Sequence, residues 1–313
     1  MKKTIIASAI AAVVAAPAAF ADVTISGNVN MEIQDLGAST GWDNSTNTDL
    51  VFKASEDLGN GMKAGMKYHL FHDDDTDQVA DTSVFLSGDF GTVTAGRMET
   101  FNMAYFHGFA AGDAAHDMTL EDTNGHQGRG NAVQYVSPSF NGFTVGLGAV
   151  IDSGMVNTNT AGTTKGTDTD DVDQQDIMVK YSNGPLTVAA GQTKHKGGSA
   201  SDEEVTNIAV SYTMGDLKLA VLDRSVDNSD GSAKTTTAVE GDNDMTTVSA
   251  TYKMGNNTFY AGITDSDDGQ DGDWVVSVAH NFSKRTSAYV AFKNDDDNTT
   301  DDSQTLVGLK HSF

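Results

Sequence analysis

Between Glu99 and Arg129 five carboxylates, Glu99, Asp113, Asp117, Glu121 and Asp122, are interleaved with Phe101, Met103, Tyr105, Phe106, Phe109 and Met118. A segment held in water has no reason to carry so many rings and thioethers, whereas one laid against a wall buries them. Elsewhere the chain sets Lys53, Lys63, Lys67, Lys180, Lys218, Lys253 and Lys310 at positions of one strand parity, and Arg97 and Arg129 flank the acidic segment. Fixed carboxylates facing fixed cations create a transverse field that orders water and penalises apolar solutes. That chemistry is electrostatic sorting, and it needs no bond to be made or broken. The chain has no glycine-rich phosphate loop and no serine elbow. His107, His116 and His126 are spaced nine and ten apart, which fits no common zinc arrangement. With no cysteine, thiol chemistry and disulfides are excluded. Neither an enzyme nor a cofactor is expected.

The elements that must position these charges are strands. In VTISGNVNMEIQ, Val23, Ile25, Val29, Met31 and Ile33 share one face, and Thr24, Ser26, Asn28, Asn30, Glu32 and Gln34 the other. Met62, Ala64, Met66, Tyr68 and Leu70 oppose Lys63, Lys67 and His69, and Phe143, Val145, Leu147, Ala149 and Ile151 alternate with glycine and threonine. Val307, Leu309 and Phe313 oppose Lys310 and Ser312 at the end of the chain. A period of two over about ten residues is what a tilted membrane strand needs. Eight long polar connections, at about 35–48, 73–80, 99–130, 153–173, 194–203, 225–244, 265–272 and 294–302, alternate with seven short turns rich in Asn, Gly and Asp. Fifteen connections join sixteen strands. The expected fold is therefore all-β: a sixteen-stranded antiparallel transmembrane β-barrel with its third long loop folded inward. A soluble sandwich also alternates, but an inner face of Thr, Ser, Asn, Gly and Lys cannot make a dry core.

The ends and the charge fit that frame. Residues 1–21 read as a cleaved leader, with Lys2 and Lys3, an apolar run and the small-residue site Ala19-Phe20-Ala21, so 22–313 is expected to be one barrel domain in an exported protein. The run is too short for a membrane anchor. With 44 Asp+Glu against 19 Lys+Arg, bulk charge argues against nucleic acid as a partner and favours cations. The acid is concentrated in runs beginning at Asp73, Asp168, Ser201, Asp265 and Asn294. The plain reading is a solvated, self-repelling surface. The sharper one is Ca²⁺ held by carboxylates or bridging to anionic lipopolysaccharide, although no run has EF-hand spacing.

Four segments carry a resemblance: Phe90-Gly91-Thr92-Val93-Thr94-Ala95-Gly96-Arg97, Tyr135-Val136-Ser137-Pro138-Ser139-Phe140-Asn141-Gly142-Phe143, Ser283-Lys284-Arg285-Thr286, and the terminal Phe313. In their order the chain resembles a general-diffusion porin of the Gram-negative outer membrane, in the sixteen-stranded trimeric family. It departs from the enteric members in lacking a Pro-Glu-Phe-Gly-Gly type motif in the third loop. The resemblance implies an outer-membrane, homotrimeric, water-filled channel passing ions and small hydrophilic solutes, with the third loop entering the barrel. The acidic residues from Glu99 to Asp122 are then candidates for the constriction, and the lysines with Arg97 and Arg129 for the pore wall, the parity of Arg97 being open. An acidic mouth predicts cation preference. Two rival readings are a substrate-selective channel, in which Phe101, Tyr105, Phe106 and Phe109 line a slide for solutes, and a Ca²⁺-dependent structural surface protein with a plugged pore.

Overall fold

In the computed structural model the described residues are 22–35, 40–43, 48–73, 76–110, 129–152, 172, 174–195, 203–228, 243–266, 273–294 and 303–313. The strands are β1 (Asp22–Asp35), β2 (Thr40–Asp43), β3 (Thr48–Gly59), β4 (Met62–Asp73), β5 (Thr76–Gly88), β6 (Gly91–Glu99), β7 (Arg129–Val136), β8 (Phe143–Asp152) and β9 (Gln174–Asn183). They continue as β10 (Leu186–His195), β11 (Glu203–Met214), β12 (Leu217–Asn228), β13 (Asn243–Met254), β14 (Asn257–Ser266), β15 (Asp273–Asn281), β16 (Thr286–Asn294) and β17 (Ser303–Ser312). Every pair is antiparallel, and β1 pairs with β17, so the sheet closes on itself. Sixteen long strands make the wall. The short β2 takes the upper part of β1, pairing Thr40 with Asp35, while β3 takes the lower part, pairing Ser55 with Asp22.

Alternation decides which side chain meets which medium. Val23, Ile25, Val29, Met31 and Ile33 are exposed on the outside of β1, while Asn30 and Glu32 are buried on the inside. The same outward apolar rows run along β8 (Phe143, Leu147, Ile151), β11 (Ile208, Val210, Tyr212) and β17 (Val307, Leu309), with Phe313 just beyond it. Exposed apolar rows around a closed ladder of satisfied backbone groups are what hydrocarbon requires. No helix among the described residues is long and apolar enough to cross a membrane, so the crossing is made by strands.

The short turns follow their sequences. Asn141 and Gly142 both have positive φ, 50° and 88°, and Phe140 and Phe143 exchange both backbone hydrogen bonds at 2.8 and 2.9 Å. This is the two-residue hairpin whose twist matches that of its strands. One expected long connection is shorter than read: the β4–β5 ladder continues to Asp73–Thr76, leaving only 74–75 between the strands. Beyond the lipid, a strand no longer needs apolar residues on either face, so the acidic run hid its extension. The ladder is shifted at His69/Leu70, where a bulge lies beside a charged cluster described below.

Candidate functional site

The third long connection begins as a continuation of β6 and turns into the barrel. Thr100 accepts a backbone hydrogen bond from Ala104 at 3.0 Å, and a π-helical stretch, Asn102–Phe106, runs into a single helical turn, His107–Ala110. Three rings then bind this segment to the inner wall. Phe101, 2% exposed, lies over Gly146 and Gly148 of β8 and beside Met178 of β9. Phe106, also 2% exposed, lies over Gly191 of β10, where a built Cβ would sit 2.7 Å from the ring. Phe109 packs in the same cluster with Ala209, Ala220, Leu222 and Met245 of β11–β13. Inward glycines leave notches that these rings fill. The segment thus follows the wall across six of the sixteen long strands.

Polar contacts reinforce the rings. Lys180 Nζ stands 5.4 Å from the centroid of Tyr105, Lys218 Nζ donates to the Gly108 carbonyl at 3.3 Å, and Ser249 Oγ donates to the Phe109 carbonyl at 3.0 Å. Burial pushes the Tyr105 phenol above its ordinary value, so its ring meets Lys180 in the neutral form. At the base of the loop, buried Asp176 accepts from Gln174 Nε2 and Thr193 Oγ1, each at 2.8 Å, and from the Phe101 amide. Lys180→Met with Lys218→Met should loosen the helical segment by roughly 1–3 kcal/mol in total. The expected sign is added low-frequency noise in single-channel records at unchanged fold; quiet records from the double variant would refute the tether.

Half a circumference away, β3 and β4 bear a second set of charges. Lys53 and Lys67 stand directly opposite each other on the inward row, an unfavourable pairing of like charges. Asp81 of β5 relieves it: its carboxylate, 1% exposed, meets Lys67 Nζ at 2.5 Å and His69 Nδ1 at 3.3 Å. His69 Nε2 in turn lies 3.7 Å from Asp49. With Lys67 engaged, Lys53 is left exposed on the inward row. Other inward carboxylates are buried too, although Arg224 is also buried and Asp57 is exposed. Glu32, Asp81, Asp176, Glu203 and Asp273 are buried, whereas Lys53, Lys63 and Lys253 are exposed. Asp57 faces Lys63 across the β3–β4 ladder.

The register locates the remaining candidates. Lys53, Lys63, Lys67, Lys180, Lys218, Lys253 and Lys310 all occupy inward rows. Arg97 does not: it pairs with Thr82 and Asn131 on the outward row of Val93 and Ala95, so its expected place on the pore wall gives way to the outer face. Glu99 falls on the same outward row opposite Arg129, at the strand end rather than in the constriction. Asp113, Asp117, Glu121 and Asp122 lie outside the described residues, as do the leader 1–21 and most of the acidic outer runs. Phe101, Phe106 and Phe109 are buried in the wall, so they anchor the loop and are not available as a slide for solutes. Met178 is fully buried on the inner face of β9 beneath Phe101. Asp176, Asp81, Asp49 and His69 were missed; inward polar residues on alternating strands were the signal, but their partners lie on other strands.

A family model described as Gram-negative porin matches residues 7–300. Over the full length of both chains, this one is 29% identical to outer membrane porin protein 32 of Delftia acidovorans. Among solved structures, an anion-selective porin from Comamonas acidovorans superposes with a TM-score of 0.69 at 24% identity, covering 94% of this chain and 100% of that one. The trimer form of OmpT, an outer membrane protein of Vibrio cholerae, superposes with a TM-score of 0.65 at 16% identity, covering 94% and 99%.

Proposed function

Because the chain belongs to the Gram-negative porin family, whose members are outer-membrane channels, we propose that it forms a water-filled passage for ions and small hydrophilic solutes whose charge preference depends on salt. The observation that carries this reading is the third loop, fixed by its rings along β8–β13 and facing the lysine-bearing wall of β3 and β4. Solutes move down their own gradient; the protein replaces hydrocarbon with water and polar wall. Assembly as a homotrimer is part of the proposal and is supported by the trimer form of a structural neighbour.

Two charged regions act in series. The acidic outer runs favour cations at the mouth, and the exposed lysines of the inner wall favour anions within. Exposed charges are screened over about 10 Å at 0.1 M salt and about 3 Å at 1 M. A wide mouth therefore loses its influence first. Reversal potentials in planar bilayers should show cation preference with KCl gradients centred below 0.1 M. The preference should shrink or change sign near 1 M, where only the lumen charges act at close range. The anion selectivity named for one structural neighbour supports a lysine-controlled interior. A preference of one sign and size at both salt levels would defeat the series arrangement.

A further inference from the structure

Seven turns close the short-turn rim, and only the one joining β15 to β16 carries cations, Lys284 and Arg285. The other lysines near that rim, Lys63, Lys253 and Lys310, stand on inward rows. Both turn side chains are exposed and have no hydrogen bond or ion pair among the described residues. Their backbone, by contrast, is fixed. Ser283 Oγ accepts from the amides of Arg285 and Thr286 at 3.1 and 3.0 Å, and the Arg285 carbonyl accepts from the Ser312 amide at 2.7 Å.

Rings beside the turn mark its depth. Phe282 is 63% exposed and Phe313 46% exposed on the outer face. Exposed aromatic side chains on a barrel's outer face sit at the boundary between hydrocarbon and headgroups. His280 meets the Phe282 ring edge-on at 5.0 Å, and His311 Nδ1 is hydrogen-bonded to Thr286 Oγ1 at 2.9 Å. Two unpaired cations therefore stand next to a membrane-depth marker on a chain whose net charge is −25. A phosphate diester is the anion present at that depth, and both cations can donate to its oxygens.

We propose that the β15–β16 turn docks the phosphate of an anionic phospholipid in the periplasmic leaflet, with Lys284 and Arg285 as its cations and Phe282 set among the acyl chains. The site lies outside the barrel, so its loss and the loss of the channel are separable.

The test uses the full mature protein in nanodiscs of equal phosphatidylglycerol and phosphatidylcholine, with retained lipids counted by native mass spectrometry. Phosphatidylglycerol should be retained on the order of tenfold over phosphatidylcholine. Lys284→Gln with Arg285→Gln should bring the two to parity while single-channel conductance is unchanged. Lys63→Gln with Lys253→Gln should keep the preference. Parity in the unaltered protein, or an undiminished preference in the Lys284/Arg285 variant, overturns the proposal. Loss of the preference on adding millimolar inorganic phosphate would assign the site to free phosphate and overturn the lipid occupant.

Discussion

Alanine at both Phe101 and Phe106 should give channels of larger and less steady conductance from barrels that still fold. Each ring fills a notch over inward glycine and is 2% exposed. Removing a buried phenylalanine side chain costs roughly 3–5 kcal/mol. The tethers that remain, the Phe109 ring at roughly 3–5 kcal/mol and the contacts of Lys180, Lys218 and Ser249 at about 1 kcal/mol each, are comparable with that loss. The helical segment should then leave the β8–β10 part of the wall for much of the time, hinged at Phe109, and no long strand depends on it for pairing. Gly191→Leu supplies a check by the opposite route. Its Cβ would lie 2.7 Å from the Phe106 ring, so the ring is expelled with its own residue intact. Single-channel conductance in planar bilayers reads both variants. If both conduct like the parent, the rings do not hold the loop.

The second large effect belongs to the seam. Tyr289 of β16 crosses Gly308 of β17 to reach β1, where its hydroxyl donates to the Asn30 amide oxygen at 2.5 Å and contacts the Glu32 carboxylate. Asn30 Nδ2 donates to the same carboxylate at 2.5 Å, and Gln34 Nε2 at 3.2 Å. Glu32 is 1% exposed, so each lost donor is paid in full desolvation. A Cβ at Gly308 would stand 2.3 Å from the Tyr289 ring. Gly308→Val should therefore displace the phenol and strip Glu32 of its cross-strand contact, lowering stability by about 3 kcal/mol or more. Tyr289→Phe keeps the ring and removes only the hydroxyl, so it should lose about 1.5–3 kcal/mol. Urea unfolding midpoints in detergent would measure the order. A Gly308→Val barrel as stable as the parent would refute the strap.

Much of this was legible before the fold. The outward rows of β1, β8 and β17 follow from alternation alone, because lipid admits only one parity of apolar residue. The inward lysines follow from the same rule, since a cation on the lipid face is costly. The third loop was marked by its rings. What alternation cannot supply is the partner across the sheet. Asp176 looks like any inward polar residue until Thr193 and the Phe101 amide are brought to it. Gly146, Gly148 and Gly191 read as weak strand residues until the rings that fill them arrive. Arg97 was ambiguous because a strand end near a loop carries too few residues to fix parity. Glu99 was assigned by charge and by its place in the loop, and the register against Arg129 overrode both.

The closure of the sheet has a consequence for the order of events in assembly. Gly27 and Phe313 exchange both backbone hydrogen bonds, at 3.2 and 3.0 Å, so the first strand meets the last. That contact spans nearly the whole chain, and its loop-closure entropy must be met before it yields anything. Until β17 is in place, β1 and β16 remain open edges able to pair with other chains. A chain truncated before β17 would leave two such edges at once and should aggregate rather than insert as a smaller ring. For this topology the pairing of β17 with β1 is a precondition for the native state, and Phe313 stands at that seam.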